Sequence, residues 1–192
     1  MPQGWYRITE TLKMKPDTKL IGLHPFGTQF RLDESTAAFS GFGGPKAMVE
    51  SSEGGANMLV GIGINTGGYN YRAVGVKWMA NADSYMNDVK FVGGHGGLWK
   101  PKPGVEEPRG RWNRPARISS PDNPVAASGM DLAWDNQYWS LWVTNNGGGT
   151  FKDIWTASTY ATNGFYANNT STPGRIYALS LIHISEPTRH AQ

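Results

Sequence analysis

No cysteine occurs among the 192 residues, which excludes disulfide staples and thiolate metal sites without choosing a compartment. Histidine is nearly as scarce. Of four, only His24 and His95 lie ahead of the C-terminal Leu179 to Gln192 segment, too few for a histidine-rich metal centre. Charged residues make up 17% of the chain and the net charge is +3, too small and too dispersed for a nucleic-acid footprint. No window sustains helical periodicity, and no apolar run is long enough to span a bilayer as a helix. There is no Gly-x-Ser-x-Gly elbow, no glycine-rich phosphate loop opening a helix and no His-Glu-x-x-His. No charged, then apolar, then small-residue leader stands at Met1.

What is abundant is turn chemistry and aromatic surface. Twenty-five Gly and 12 Pro describe many tight corners. Eight Trp and eight Tyr exceed what one core of this size needs. Most such rings pack inside; those that do not are suited to stack on sugar faces. The organising stretch is Arg72 to Gly97. Ala73 to Met79 and Val89 to Val92 alternate with period two, the polar bend Asn81-Ala82-Asp83-Ser84 lies between them, and Gly93-Gly94 and Gly96-Gly97 form a corner. Strand, bend, strand, corner is the pattern of a stacked β-solenoid. Strands centred near Val60, Val76 and Phe91 are spaced as faces of successive coils.

The same reading places strands at Trp5 to Thr9, Lys19 to Leu23, Asn57 to Ile64, Ser140 to Thr144, Phe151 to Trp155, Gly164 to Ala167 and Arg175 to Ala178. His24 to Gly55 reads as a decorated loop around the short run Lys46 to Glu50, and Asn65 to Tyr71 as a turn. Asn145-Asn146 and Asn168-Asn169 read as turn or stacked positions rather than ligands. Residues 98–129 differ from the rest. Six prolines and a basic excess that includes Lys100, Lys102, Arg111 and Arg114 rule out a core strand and predict a long excursion from the solenoid.

The opening Pro2-Gln3-Gly4-Trp5-Tyr6, running through a turn to Leu20-Ile21-Gly22, resembles the first coil of pectate-lyase-like right-handed β-helix domains. These are shared by family 55 glycoside hydrolases (exo-β-1,3-glucanases) and family 28-related proteins. Trp134-Asp135, Gln137-Tyr138 and Ser140-Leu141-Trp142 are similar to the same family, as are Asp83, Asn87-Asp88 and Gly93-Gly94-His95-Gly96. The resemblance covers most of Pro2 to Ala178. It implies an all-β, right-handed parallel β-helix, incomplete at one or both ends, from a secreted carbohydrate-active protein. Leu179 to Gln192 breaks every earlier pattern; its LIHISEPTR resembles translated sequencing-adapter read-through. The expected organisation is therefore a partial β-helix domain over 1–178, with its basic insertion, and a non-native tail over 179–192.

Glycoside hydrolysis needs two carboxyl groups across the scissile bond, one with its pKa raised by apolar surroundings. Asp135 is flanked by Trp134, Tyr138 and Trp139, which can both raise a pKa and stack a sugar. Asp131 shares its face if the stretch is extended, and Asp83 and Asp88 stand beside the bend. All four also suit backbone-capping roles in turns. His95 reads either as a site residue or as a hydrogen-bonded corner residue. Arg111 and Arg114 are cations that a glycan carboxylate would meet. The expected function is hydrolysis of a β-glucan or related polysaccharide, with no metal and no cofactor. One alternative is a lyase on a uronate-containing glycan, the only reading in which calcium enters. The other is a non-catalytic glycan-binding or tailspike-like solenoid. The expected partner is a polysaccharide, not nucleic acid or membrane.

Overall fold

The computed structural model describes residues 1–33, 35–41, 43–67, 70–93, 137–156, 161–177 and 180–181. These residues form strands and no helix. The first three coils run β1 (Gly4–Arg7), β2 (Leu12–Lys13), β3 (Lys19–Ile21); β4 (Thr28–Arg31), β5 (Lys46–Glu50), β6 (Met58–Val60); β7 (Gly63–Gly67), β8 (Ala73–Trp78), β9 (Tyr85–Asn87). They continue with β10 (Lys90–Gly93), β11 (Gln137–Val143), β12 (Gly149–Lys152); then β13 (Trp155–Thr156), β14 (Ala161–Ala167), β15 (Gly174–Tyr177); and finally β16 (Ser180–Leu181).

Every third strand pairs, always in parallel. The first sheet is β1-β4-β7-β10-β13-β16, the second β2-β5-β8-β11-β14, and the third β3-β6-β9-β12-β15. A chain that turns three corners and returns one strand spacing higher is a parallel β-helix. Register then places like residues above one another in the interior. One column is Tyr6, Phe30, Ile64, Phe91 and Thr156; a second is Leu12, Val49, Val76, Leu141 and Phe165. The third is Leu20, Leu59, Met86, Phe151 and Ile176. The middle members of each column are buried, whereas Tyr6, Leu12 and Leu20 are half-buried and Ile176 is exposed. Each coil is thus covered by its neighbours, so stability is shared between adjacent coils rather than drawn from one central core.

The corner between the third and first sheets shows why these turns stack. The residue after each third-sheet strand donates its N–H to the coil above: Gly22 to Val60, Gly61 to Asn87, Asp88 to Lys152 and Asp153 to Tyr177. Gly61, Asp88 and Asp153 adopt left-handed backbone at φ 63°, 48° and 51°. Glycine and aspartate tolerate that region better than branched residues. Replacing Asp88 by Val should therefore lower stability by about 1–2 kcal/mol, while Asp88→Gly should leave it equal or higher. Urea midpoints check this; an Asp88→Val protein as stable as the parent would remove the left-handed corner as the reason for Asp88.

These corners also explain where the linear reading went astray. Asn57 to Ile64 is two strands broken at Gly61, and Phe151 to Trp155 is two strands broken around Asp153. A left-handed corner can occupy one or two residues, too short to interrupt an apolar pattern. β9 lies between the bend at Asn81 and the strand at Lys90, so Ala73 to Gly93 holds three strands, one from each sheet, where the linear reading placed two. β4 emerges from the region read as loop, and β7 extends through Gly67 into the region read as turn. The asparagine reading agrees with the structure: Asn145, Asn146 and Asn169 have left-handed backbone, and the Asn146 N–H donates to the Asn169 carbonyl at 2.8 Å.

Pairing between β7 and β10 slips after Val92, so that Gly93 stands beside Gly67 and Thr66 is passed over. This bulge immediately precedes residues 94–136, which include the basic insertion and lie outside the described residues. At the other end, Ser180 and Leu181 stand beside Trp155 and Thr156, so the first sheet continues two residues into the segment read as tail.

Candidate functional site

Three rings of the aromatic surface, Tyr138, Trp139 and Trp142, lie on β11, and sheet register adds Tyr166 from the next coil. On the second sheet, Lys13, Glu50, Lys77, Trp142 and Tyr166 occupy successive positions of one row, one per coil. Strands in a sheet are spaced about 4.8 Å apart, so this row runs roughly 19 Å along the solenoid axis. Its upper half is aromatic and its lower half charged. Leu141 and Val143, the neighbours of Trp142 in β11, are buried, and Trp142 itself is half-buried, as alternation requires.

Trp139 completes the surface. Its ring stacks on Tyr166 at 4.3 Å between centroids and 19° between planes, and meets Trp142 at 4.9 Å and Tyr138 at 5.5 Å. Four half-buried rings therefore touch one another through a single tryptophan. Their polar edges are fixed as well. The Trp142 indole N–H donates to Asn168 Oδ1 at 2.7 Å, and the Tyr138 hydroxyl donates to the Gly43 carbonyl at 2.9 Å. Lys77 Nζ lies 5.0 Å from the Trp142 ring centre, a cation–π contact that orients the ring from the coil below.

Of the residues predicted from sequence, the structure brings Tyr138 and Trp139 together on this surface. Asp83 and Asp88 are placed elsewhere, at the two ends of β9 on the third sheet. Asp83 lies in the bend where its N–H donates to Asn81 Oδ1 at 3.0 Å, and Asp88 occupies the left-handed corner already described. In the bend the capping side chain is that of Asn81, and Asp83 takes part through its backbone N–H. Asp131, Trp134, Asp135, His95, Arg111 and Arg114 lie outside the described residues. Among the described residues no group of three or more His, Asp or Glu side chains is arranged to hold a metal ion. No described helix is long and apolar enough to cross a membrane.

Trp142, Tyr166, Lys77 and Glu50 were missed as site residues. Alternation in Leu141-Trp142-Val143 was the available signal for Trp142. Nothing in the sequence places Lys77 or Tyr166 beside it, because Lys77 and Trp142 are far apart in the chain and only the register of the sheet joins them. Chemically, the arrangement offers fixed apolar ring surface, with one cation and, one coil lower, the Glu50 carboxylate. Flat apolar ring faces of this kind can pack against the C–H faces of a ring-shaped ligand while leaving its hydroxyls to polar rims. No family model matches the chain, and neither a curated protein nor a solved structure matches it.

Proposed function

We propose that this chain belongs to a secreted carbohydrate-active β-helix protein of the pectate-lyase-like type, and that the second-sheet row is where its polysaccharide lies. The observation that carries the reading is the Trp139–Tyr166 stack beside Trp142, with Trp142 and Tyr166 on adjacent coils of the row. The roughly 4.8 Å step between coils is close to the length of one pyranose unit, so rings on adjacent coils suit adjacent sugars. Hydrolysis of a β-glucan or related polysaccharide is the reaction we assign to the parent protein. Asp135 and Asp131 are the carboxyl groups nearest in sequence to β11, and Asp135 is the first choice for the acid.

Two measurements on the full chain test this. Trp139→Ala should weaken binding to a soluble β-1,3-glucan by about tenfold, which corresponds to roughly 1.4 kcal/mol of lost ring contact. Asp135→Asn should lower the release of reducing ends by about a hundredfold while leaving binding intact. Binding equal in Trp139→Ala and parent would dismiss the second-sheet row. Binding without any release of reducing ends would leave the non-catalytic solenoid in place of the hydrolase. An unsaturated, ultraviolet-absorbing product formed only with calcium would identify the lyase instead.

A further inference from the structure

The first sheet carries a second aromatic row on its outer face. Trp5, Gln29, Gly63, Lys90 and Trp155 follow one another, one per coil. Gly63 is the gap in that row. A side chain there would run into the Pro25 carbonyl and lie 2.8 Å from Gln29 Cγ, so its absence lets the loop after β3 fold down onto the sheet. Phe26 then crosses the gap to meet Trp155 edge-on at 6.1 Å.

The loop is firmly built. Gly27 and Thr28 donate their N–H groups to the His24 carbonyl at 2.9 and 2.8 Å, and Gly4 N–H donates to the Gly27 carbonyl at 2.8 Å. Phe26 N–H donates to His24 Nδ1 at 3.2 Å, and Gln29 Nε2 donates to the Phe26 carbonyl at 3.4 Å. Two cations steady the rings. Lys90 Nζ sits 4.2 Å from the centre of Phe26 and 5.7 Å from Trp155, and the Arg31 guanidinium carbon 4.3 Å from Trp5. Burial pushes the Arg31 guanidinium below its ordinary pKa, and the nearby Asp33 acts against that shift.

Yet this fixed loop leaves large apolar groups in solvent. Leu23 is 80% exposed, Trp5 63% and Phe26 51%. Apolar side chains held out by a hydrogen-bonded loop, rather than by a loose one, mark a recognition surface. Beside them is an open cavity of about 350 Å³ lined by Gln3, Leu23, His24, Phe26, Gly27 and Thr28. No lining side chain is a carboxylate, a lysine or an arginine. Because His24 Nδ1 accepts the Phe26 N–H, the neutral ring carries its proton on Nε2, an N–H without a partner among the described residues. The Gln3 amide is likewise unpartnered there. An apolar wall with an uncharged donor and an amide fits a neutral polyol, and the volume accommodates one or two pyranose rings.

We infer that the outer face of the first sheet is a second, separate saccharide site, in which Phe26 and Trp5 stack on a neutral glucan and His24 and Gln3 bond its hydroxyls. It rests on the proposed function only for the class of ligand. Its residues lie on a different sheet from Trp139, so the two sites succeed or fail independently.

The test is a titration of the full chain with laminarihexaose, reading the tryptophan indole N–H resonances by NMR. The expected result is concentration-dependent shifts at Trp5 and Trp155 as well as at Trp139 and Trp142, with the buried Trp78 unmoved. In Phe26→Ala the Trp5 response should require at least about tenfold more ligand, and the Trp139 response should stay as in the parent. The unmoved Trp78 resonance reports that each variant is folded. Shifts at Trp139 and Trp142 alone, or a Trp5 response unchanged in Phe26→Ala, overturn the second site and leave the second-sheet row standing. Shifts at Trp5 and Trp155 alone uphold it and remove the second-sheet row. Silence at all four overturns both.

Discussion

Trp78→Ala is expected to cost about 3–5 kcal/mol, the range for deleting a fully enclosed tryptophan. The side chain is 0% exposed, and its ring meets Phe151 edge-on at 6.0 Å across the solenoid interior. Its indole N–H donates to the Gly148 carbonyl at 2.9 Å, tying the third coil to the turn of the fourth. Since domains of this size carry only about 5–15 kcal/mol in total, the substitution should bring the protein close to unfolding. The loss should also be local. Val143 stands beside Trp78, so the amides of β11 and β12 should exchange with solvent much faster than those of β4 to β6. Trp78→Phe separates the two contributions: the ring volume largely remains, the Gly148 carbonyl loses its donor, and about 1–2 kcal/mol should disappear. Urea unfolding of the three proteins provides the numbers. A loss below about 1 kcal/mol in Trp78→Ala would show that the interior column does not organise these coils.

Gly149→Ala should be nearly as damaging, at roughly 3 kcal/mol, for a different reason. Gly149 opens β12 with φ 107°, a conformation that L side chains rarely adopt. A Cβ there would also overlap the Ser84 carbonyl oxygen of the coil below, which accepts the Thr150 N–H at 2.9 Å. The neighbouring backbone cannot yield without breaking that bond. Alanine therefore costs both strain and a coil-to-coil hydrogen bond, and the midpoint of thermal unfolding should fall by about 10 °C. A Gly149→Ala protein unfolding within about 2 °C of the parent would mean that the turn has another conformation open to it. The triple glycine read as a turn from sequence is thus a docking point, where Gly148 receives the indole and Gly149 passes the Ser84 carbonyl.

Much of the architecture was legible because a β-helix repeats a local rule. Period-two alternation in Ala73 to Trp78 and in Lys90 to Gly93, with glycine and asparagine at the corners, is written within a few residues. Local rules also account for the failures. β2 has two residues and β13 has two, too few for any alternation to be seen. Such strands exist because neighbouring coils, β5 for β2 and β10 and β16 for β13, offer carbonyls and amides at the right height, and that is a property of the stack.

The candidate surface divides in the same way. Tyr138 and Trp139 were found because aromatic residues cluster beside Asp135 in sequence. Lys77, Trp142 and Tyr166 became neighbours only through register, which sets Trp142 above Lys77 and below Tyr166. The first-sheet site was illegible for the same reason: Phe26 and Trp155 are far apart in the chain yet meet over the sheet face, with Trp5 at the opposite end of the same row.

By itself, then, the sequence determined that the chain is predominantly β, that it turns at glycine and asparagine corners without disulfides, and that it has aromatic rings in excess of its core. Only the tertiary structure decided which rings face outward together. Alternation states which side of a strand a residue occupies, but the height at which it sits depends on how many residues each coil spends in its loops. That count is settled by hydrogen bonds between coils, not within them.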